Sequence, residues 1–158
     1  MPGGSAARYV STDYKMIIQS CKPKDIEACA KLLAVVYSKA PYQEIWELKD
    51  AIAYLERFRK IDPEGCFIAK VNDDVIGAIF SFSYPWHGGK LVCIQELFVS
   101  PSQRRKGIAR QLLSRLNQGK KVSVWLVAHE RSEASIFYQS MGLSQAGPYK
   151  FRHGSINT

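Results

Sequence analysis

The chain has no run of apolar residues near the ~20 that a membrane-spanning helix requires, so no such span is expected. Its first fifteen residues lack the hydrophobic segment of a secretory signal peptide. Only four cysteines occur, Cys21, Cys29, Cys66 and Cys93, and none forms a Cys-x-x-Cys pair. That spacing argues against a zinc framework, and their places in apparent helices and strands predict reduced, buried thiols and no metal. Together these absences predict a cytoplasmic location. Compositional extremes are missing too. With 46% hydrophobic and 23% charged residues, neither a disordered chain nor a fibrous repeat is indicated. Acidic residues are outnumbered, 14 against 22 Lys and Arg, which leaves a formal charge of +8. Such an excess invites a nucleic-acid partner, but no recognisable module is present and no basic stripe alternates with aromatics.

At 158 residues the chain is long enough to bury a core and is expected to be one domain. Residues 1–15 are small and polar without sustained period, and read as a leader or flexible extension before a domain at 16–158. Met16–Ser20 is strand-like. Pro23 suits a first helical position with Asp25 and Glu27 behind it, and the apolar spacing continues through Ile26, Cys29, Leu33, Val36 and Tyr37. A second helix is predicted over 43–59, with Ile45, Leu48, Ile52 and Leu55 as its stripe. Asp62-Pro-Glu-Gly65 breaks it. Strands at 66–71 and 75–84 are joined through Asn72-Asp73-Asp74, and a turn at 85–89 leads to a strand at 91–99. A buried strand at 121–128, a helix at 132–141 closed by Gly142 and a last strand at 147–151 complete the order. That order, β-α-α-β-β-β-α-β-α-β, predicts an α+β fold: a mixed central sheet flanked by helices.

The most informative stretch runs from the strand ending Glu96-Leu97-Phe98-Val99, through a short basic loop, into an amphipathic helix. There Ile108, Leu112, Leu113 and Leu116 make one apolar face, and Gly119 is a candidate C-cap. A helix N-terminus presents unpaired N–H groups and a positive dipole end, a natural anion site. Gly107 lets backbone approach such an anion closely. Four cations, Arg104, Arg105, Lys106 and Arg110, crowd that end, where each opposes the dipole by about 0.3–1 kcal/mol unless an anion binds. The hexapeptide Arg104-Arg105-Lys106-Gly107-Ile108-Ala109, after this strand and before this helix, resembles the acyl-CoA pyrophosphate loop of the GNAT superfamily of N-acetyltransferases. A second stretch, Ala134-x-x-Phe137-Tyr138-x-x-x-Gly142-Leu143, resembles that superfamily's later signature helix.

The resemblance implies transfer of an acetyl group from acetyl-CoA directly to a primary amine in a ternary complex. It implies a diphosphate cradle at Arg104, Arg105, Lys106, Gly107, Ile108, Ala109 and Arg110. It also implies thioester contacts from the backbone of Leu97, Phe98 and Val99, and Tyr138 as the acid that protonates the departing thiolate. A tyrosine's ordinary pKa near 10 is close to a thiol's, so that transfer is energetically reasonable; packing of the helix on the sheet is the competing role. Many members carry Asn where Arg131 stands, so one coenzyme contact is not matched. The family also continues through a last hairpin, whereas few residues follow Gly142 here. The final strand is therefore short, missing, or supplied by a second subunit of a homodimer.

Glu96, an acid inside an apolar strand, has to be paired or protonated. It reads either as a general base acting through water or as a structural acid. His87, in the Gly-rich turn, is a second base candidate or a surface residue. Tyr37, Tyr42, Trp46 and Trp86 are candidates to line the acceptor site, with Glu44 and Glu47 supplying charge for an ammonium group. Core packing explains Trp46 equally well. Two other classes remain beside the enzyme: a coenzyme A-binding regulatory domain without catalysis, and a basic nucleic-acid-binding domain.

Overall fold

Alternating and helical apolar patterns here resolve into a sheet covered on both faces. The computed structural model describes residues 15–156; residues 1–14 of the expected leader lie outside the described residues. Two units are distinguished, Met1–Leu126 and Val127–Thr158.

The first unit holds five strands, β1 (Met16–Ser20), β2 (Cys66–Val71), β3 (Asp74–Trp86), β4 (Gly89–Val99) and β5 (Ser123–Leu126), in the order β1-β2-β3-β4-β5. All neighbours are antiparallel except β4 and β5, which run parallel. Helices α1 (Ile26–Tyr37) and α2 (Leu48–Ile61) cover one face, where Leu33, Leu55, Ile68 and Phe80 are fully buried. Helix α3 (Ile108–Asn117) covers the other. Its Ile108 and Leu112 are buried against Ile79 and Ile94, with Leu113 and Leu116 packed alongside, the face its periodicity predicts. Two-residue connections give the hairpins: Val71 pairs Asp74, and Trp86 pairs Gly89 across His87 and Gly88, both at positive φ (45° and 75°).

Helix α2 begins at Leu48, five residues after the predicted start. Gln43 sits at φ 52°, the chain stays outside regular structure up to an extended Glu47, and the Glu44 N–H donates to the Tyr37 carbonyl at 2.8 Å. Ile45 is consequently 95% exposed and does not join the stripe. β5 is shorter than expected and only half buried: Ser123 and Trp125 face out, while Val124 and Leu126 join the α3 side.

The second unit contains α4 (Glu133–Ser140), whose Ser132 hydroxyl oxygen accepts from the Ser135 N–H at 3.2 Å as an N-cap. The strand expected at 147–151 is not formed. Local turn bonds replace it, Gly147 N–H to Gln145 O at 2.9 Å and Tyr149 N–H to Ala146 O at 3.4 Å, and Tyr149 and Phe151 stay exposed. A strand needs a partner edge. The segment pairs with no strand among the described residues.

Candidate active site

The loop after β4 leads into a helix end that no side chain caps. Pro101–Gln103 forms one 3-10 turn, and Arg105 and Gly107 follow at φ 61° and 75°. Positive φ is uncommon for an arginine. Gly107 is the N-cap of α3 and no side chain caps that end. A Cβ on Gly107 would meet nothing within 4 Å, so the approach to the helix end is open. Arg104, Arg105, Lys106 and Arg110 are all exposed there, and the Lys106 ammonium donates to Gln103 Oε1 at 2.9 Å. These residues fit a diphosphate: N–H donors at a helix end with cations around them.

Just before the loop, β4 parts from β5. Their pairing ends at Ile94 with Leu126, so the edge of β4 from Gln95 through Leu97, Phe98 and Val99 has no strand partner among the described residues on that side. Opposite β3, the register changes: Glu96 pairs Phe80, whereas Ile94 pairs Ser81, leaving Gln95 as an extra residue on β4. Such a bulge re-aims side chains.

Glu96 lies on the face covered by α1 and α2. Tyr37 of α1 donates its hydroxyl to Glu96 Oε2, and Tyr54 of α2 donates to Oε1 at 2.7 Å. Gln95 Nε2 in turn donates to the Tyr54 hydroxyl at 2.8 Å. Burial lifts the Glu96 carboxyl above the ordinary carboxylate range, the two tyrosine hydrogen bonds work against that rise, and the charge of Glu44 adds to it. Burial and then the Glu96 charge push the Tyr54 hydroxyl well above its usual value, so it remains a donor.

Aromatic rings surround this carboxylate. Tyr42 packs edge-on against Tyr37 at 4.7 Å, and Trp46 lies 5.2 Å from Tyr54. The Trp46 indole N–H donates to Glu44 Oε2 at 2.7 Å. Neither Glu44 nor Glu96 is in an ion pair among the described residues. In a chain of charge +8, this is a negatively charged, aromatic-walled site without its own cation.

Of the predicted acceptor residues, Tyr37, Tyr42, Glu44 and Trp46 thus come together with Glu96. Glu47 is the N-cap residue of α2, its carbonyl accepting from the Ala51 N–H at 3.0 Å. Trp86 stands at the end of a file of rings leading from Tyr54 through Phe58, Phe82 and Tyr84, next to His87 at 4.7 Å. The sequence reading missed Tyr54 and Gln95. Tyr54 is three residues from Ala51 and one from Leu55, so helical spacing marks it only as a neighbour of the buried stripe.

Tyr138 belongs to the second unit. It is the buried residue of α4, its ring 5.4 Å from that of Phe137, and its carbonyl accepts from the Leu143 N–H at 3.0 Å. Arg131 is exposed and its N–H donates to His129 Nδ1 at 3.1 Å.

Comparison with known proteins places these features in a family. The model of the acetyltransferase (GNAT) domain matches residues 62–143, just over half of the chain, and the protein belongs to the GNAT acetyltransferase family. Solved structures share the fold. A possible acetyltransferase from Clostridium difficile 630 is 18% identical with a TM-score of 0.72, over 90% of this chain and 99% of that one. An aminoglycoside N-acetyltransferase in complex with CoA is 19% identical with a TM-score of 0.69, over 93% and 99%. An aminoglycoside acetyltransferase from an uncultured soil metagenomic sample, in complex with trehalose, is 18% identical with a TM-score of 0.65, over 92% and 99%. No curated protein matches the chain.

Proposed function

We propose that the protein is an acetyl-CoA-dependent N-acetyltransferase acting on a primary amine by direct attack. The observation that carries this reading is the continuity of two sites on one strand. β4 bears Glu96 among aromatic rings, and five residues after its end, at Arg104, begins the uncapped, cation-rich approach to the N-terminus of α3. When bound, acetyl-CoA supplies an activated acetyl thioester. The N–H groups of Ile108, Ala109 and Arg110, with the Arg104, Arg105 and Lys106 side chains, hold its diphosphate, and the free edge of β4 at Leu97, Phe98 and Val99 orients the acyl arm.

Tyr42, Trp46 and Glu44 receive the ammonium form of the acceptor, aromatic faces and a carboxylate both favouring a cation. Glu96 takes a proton from that amine, directly or through water, so that the nitrogen lone pair can attack the acyl carbon. As the new C–N bond forms and the C–S bond breaks, Tyr138 gives its proton to the departing sulfur and is reprotonated from solvent, while the nitrogen sheds its second proton to solvent to leave the neutral amide.

Release of thiol from acetyl-CoA in the presence of a panel of primary amines tests the reading. Turnover dependent on one class of amine is the expected result. Binding of coenzyme A with no thiol release across the panel would favour a non-catalytic coenzyme binder. Stabilisation by oligonucleotides and not by coenzyme A would reject both.

A further inference from the structure

Two adjacent residues of one strand converge on a single hydroxyl. In a regular strand Gln95 and Glu96 would point to opposite faces. Because Gln95 is the extra residue at the β3–β4 register change, Gln95 Nε2 reaches the Tyr54 oxygen at 2.8 Å while Glu96 Oε1 accepts that hydroxyl's proton at 2.7 Å. Tyr54 has one proton to give. An amide N–H2 directed at its oxygen leaves that proton free for the carboxylate, so Gln95 fixes the direction in which Tyr54 donates. The Tyr54 ring is itself held between Trp46 at 5.2 Å and Phe58 at 5.2 Å.

We propose that Tyr54, oriented by Gln95, is a positioning residue that holds the Glu96 carboxylate and tunes its readiness to take up the acceptor's proton. This deepens the acetyl-transfer reading above and rests on it for its catalytic meaning. The groups that face Glu96 act in opposed directions. Tyr37 from α1 and Tyr54 from α2 donate to it and favour the ionised form, while Glu44, from the segment between those helices, repels it. Gln95, its neighbour on β4, is uncharged and works only through Tyr54. Burial favours the protonated form. A carboxylate balanced in this way can hold a proton briefly and release it, which a fully solvated or an ion-paired acid at neutral pH does less readily.

The signs make the test specific. Tyr54→Phe keeps the ring between Trp46 and Phe58 and deletes one donor, so the Glu96 titration midpoint should rise by about one pH unit. Gln95→Leu should move it the same way by less. Glu44→Gln should move it downward. The midpoint is read from the side-chain carboxyl carbon of Glu96 by NMR in the folded full chain, with Glu96→Gln identifying the resonance. The acid limb of kcat/KM for the best amine of the panel is read alongside.

An unmoved Glu96 midpoint in folded Tyr54→Phe overturns the inference. If Tyr54→Phe fails to fold, an unmoved midpoint in Gln95→Leu does so equally. A midpoint that shifts as described while the acid limb stays fixed upholds the tuning of Glu96 by Tyr54. It would reject instead the assignment of Glu96 as the acceptor of the amine's proton.

Discussion

Ser81 and Gly65 are locked together by backbone proximity: the Ser81 hydroxyl donates to the Gly65 carbonyl at 2.8 Å, and a Cβ on Gly65 would lie 2.4 Å from the Ser81 carbonyl oxygen. This contact joins the turn that ends α2 to the middle of β3, and Ser81 is itself buried. Because the obstructing atom is backbone, Gly65→Ala forces strands apart and not merely a side chain aside. A loss of about 3 kcal/mol is expected, the upper part of the range for overpacking. At the size of this chain that lowers Tm by roughly 6–12 °C, which thermal unfolding checks directly. An unchanged Tm would mean that β3 is free to shift.

Asp25 and Glu96 should give stability opposite slopes with pH. Burial raises the Asp25 carboxyl, but the Lys22 N–H at 2.9 Å and the Lys70 ammonium at 2.9 Å outweigh it and hold the acid below its ordinary 3.8. Its contribution is present above that value and is lost as pH falls through the lower folded one. Asp25→Asn, which leaves Lys70 half-buried without its partner, should cost about 3 kcal/mol at neutral pH and flatten the acid limb of a stability profile.

Glu96 behaves in the other sense. Its folded value lies above the ordinary 4.5, so the stability linked to it is complete below that value and is lost as pH rises through the folded one. Denaturant unfolding of Glu96→Gln across this range should show that descending segment removed. Persistence of the segment would place its origin elsewhere.

What the sequence made legible was local. The loop at 104–110, the apolar face of α3 and the hairpins rest on period, turn chemistry and one glycine, and each can be read within a dozen residues. The start of α2 was misplaced because Ile45 and Leu48 fit a helical stripe. The interaction that defeats the helix there, Glu44 N–H to the Tyr37 carbonyl, comes from the preceding helix. Tyr54 and Gln95 escaped for a related reason: a strand's alternation assigns Gln95 to the face opposite Glu96, and only the bulge against β3 cancels that assignment. The strand expected at 147–151 rested on composition alone, and local turn bonds from the Gly147 and Tyr149 N–H groups take the place of a ladder there.

The cysteines should be silent in a thiol-release assay. All four are buried, and burial pushes the Cys66 thiol up to about 12 and the Cys93 thiol up to about 11. Little thiolate of those two is present at neutral pH, and reaction with a disulfide reagent requires thiolate and also access, which burial limits for all four. Native protein without coenzyme should therefore release little colour over minutes, and four equivalents per chain after denaturation. Rapid native reaction of even one equivalent would mean that the packing around one of these thiols opens readily.

Gly107→Asp tests the diphosphate cradle. Space exists for the side chain, since nothing lies within 4 Å of an added Cβ. The left-handed φ of 75° costs a non-glycine residue roughly 1 kcal/mol, which leaves the fold intact. A carboxylate placed at the anion site should weaken coenzyme A binding at least tenfold, about 1.4 kcal/mol, as read by calorimetry. Unchanged affinity in the folded variant would remove the loop from the coenzyme site.

Tyr138→Phe and Glu96→Gln separate the two proton steps. Deleting only the Tyr138 hydroxyl preserves a ring that is buried beside Phe137. If that hydroxyl protonates the departing thiolate, kcat should fall about 10²-fold, as for a positioned acid, with little change in acetyl-CoA affinity. Near-normal kcat in a folded Tyr138→Phe enzyme, with chemistry shown to be rate-limiting, would leave solvent as the proton source. Glu96→Gln acts on the other proton. A carboxylate that accepts it from the amine must be ionised in the free enzyme, so kcat/KM for wild type should decline below the Glu96 midpoint. In Glu96→Gln that limb should vanish together with most of the rate. An acid that merely anchors Tyr37 and Tyr54 would behave differently: the glutamine variant would lose stability and retain the wild-type pH profile, because the two tyrosine hydroxyls would then lose a charged acceptor without any change in the chemistry of the amine.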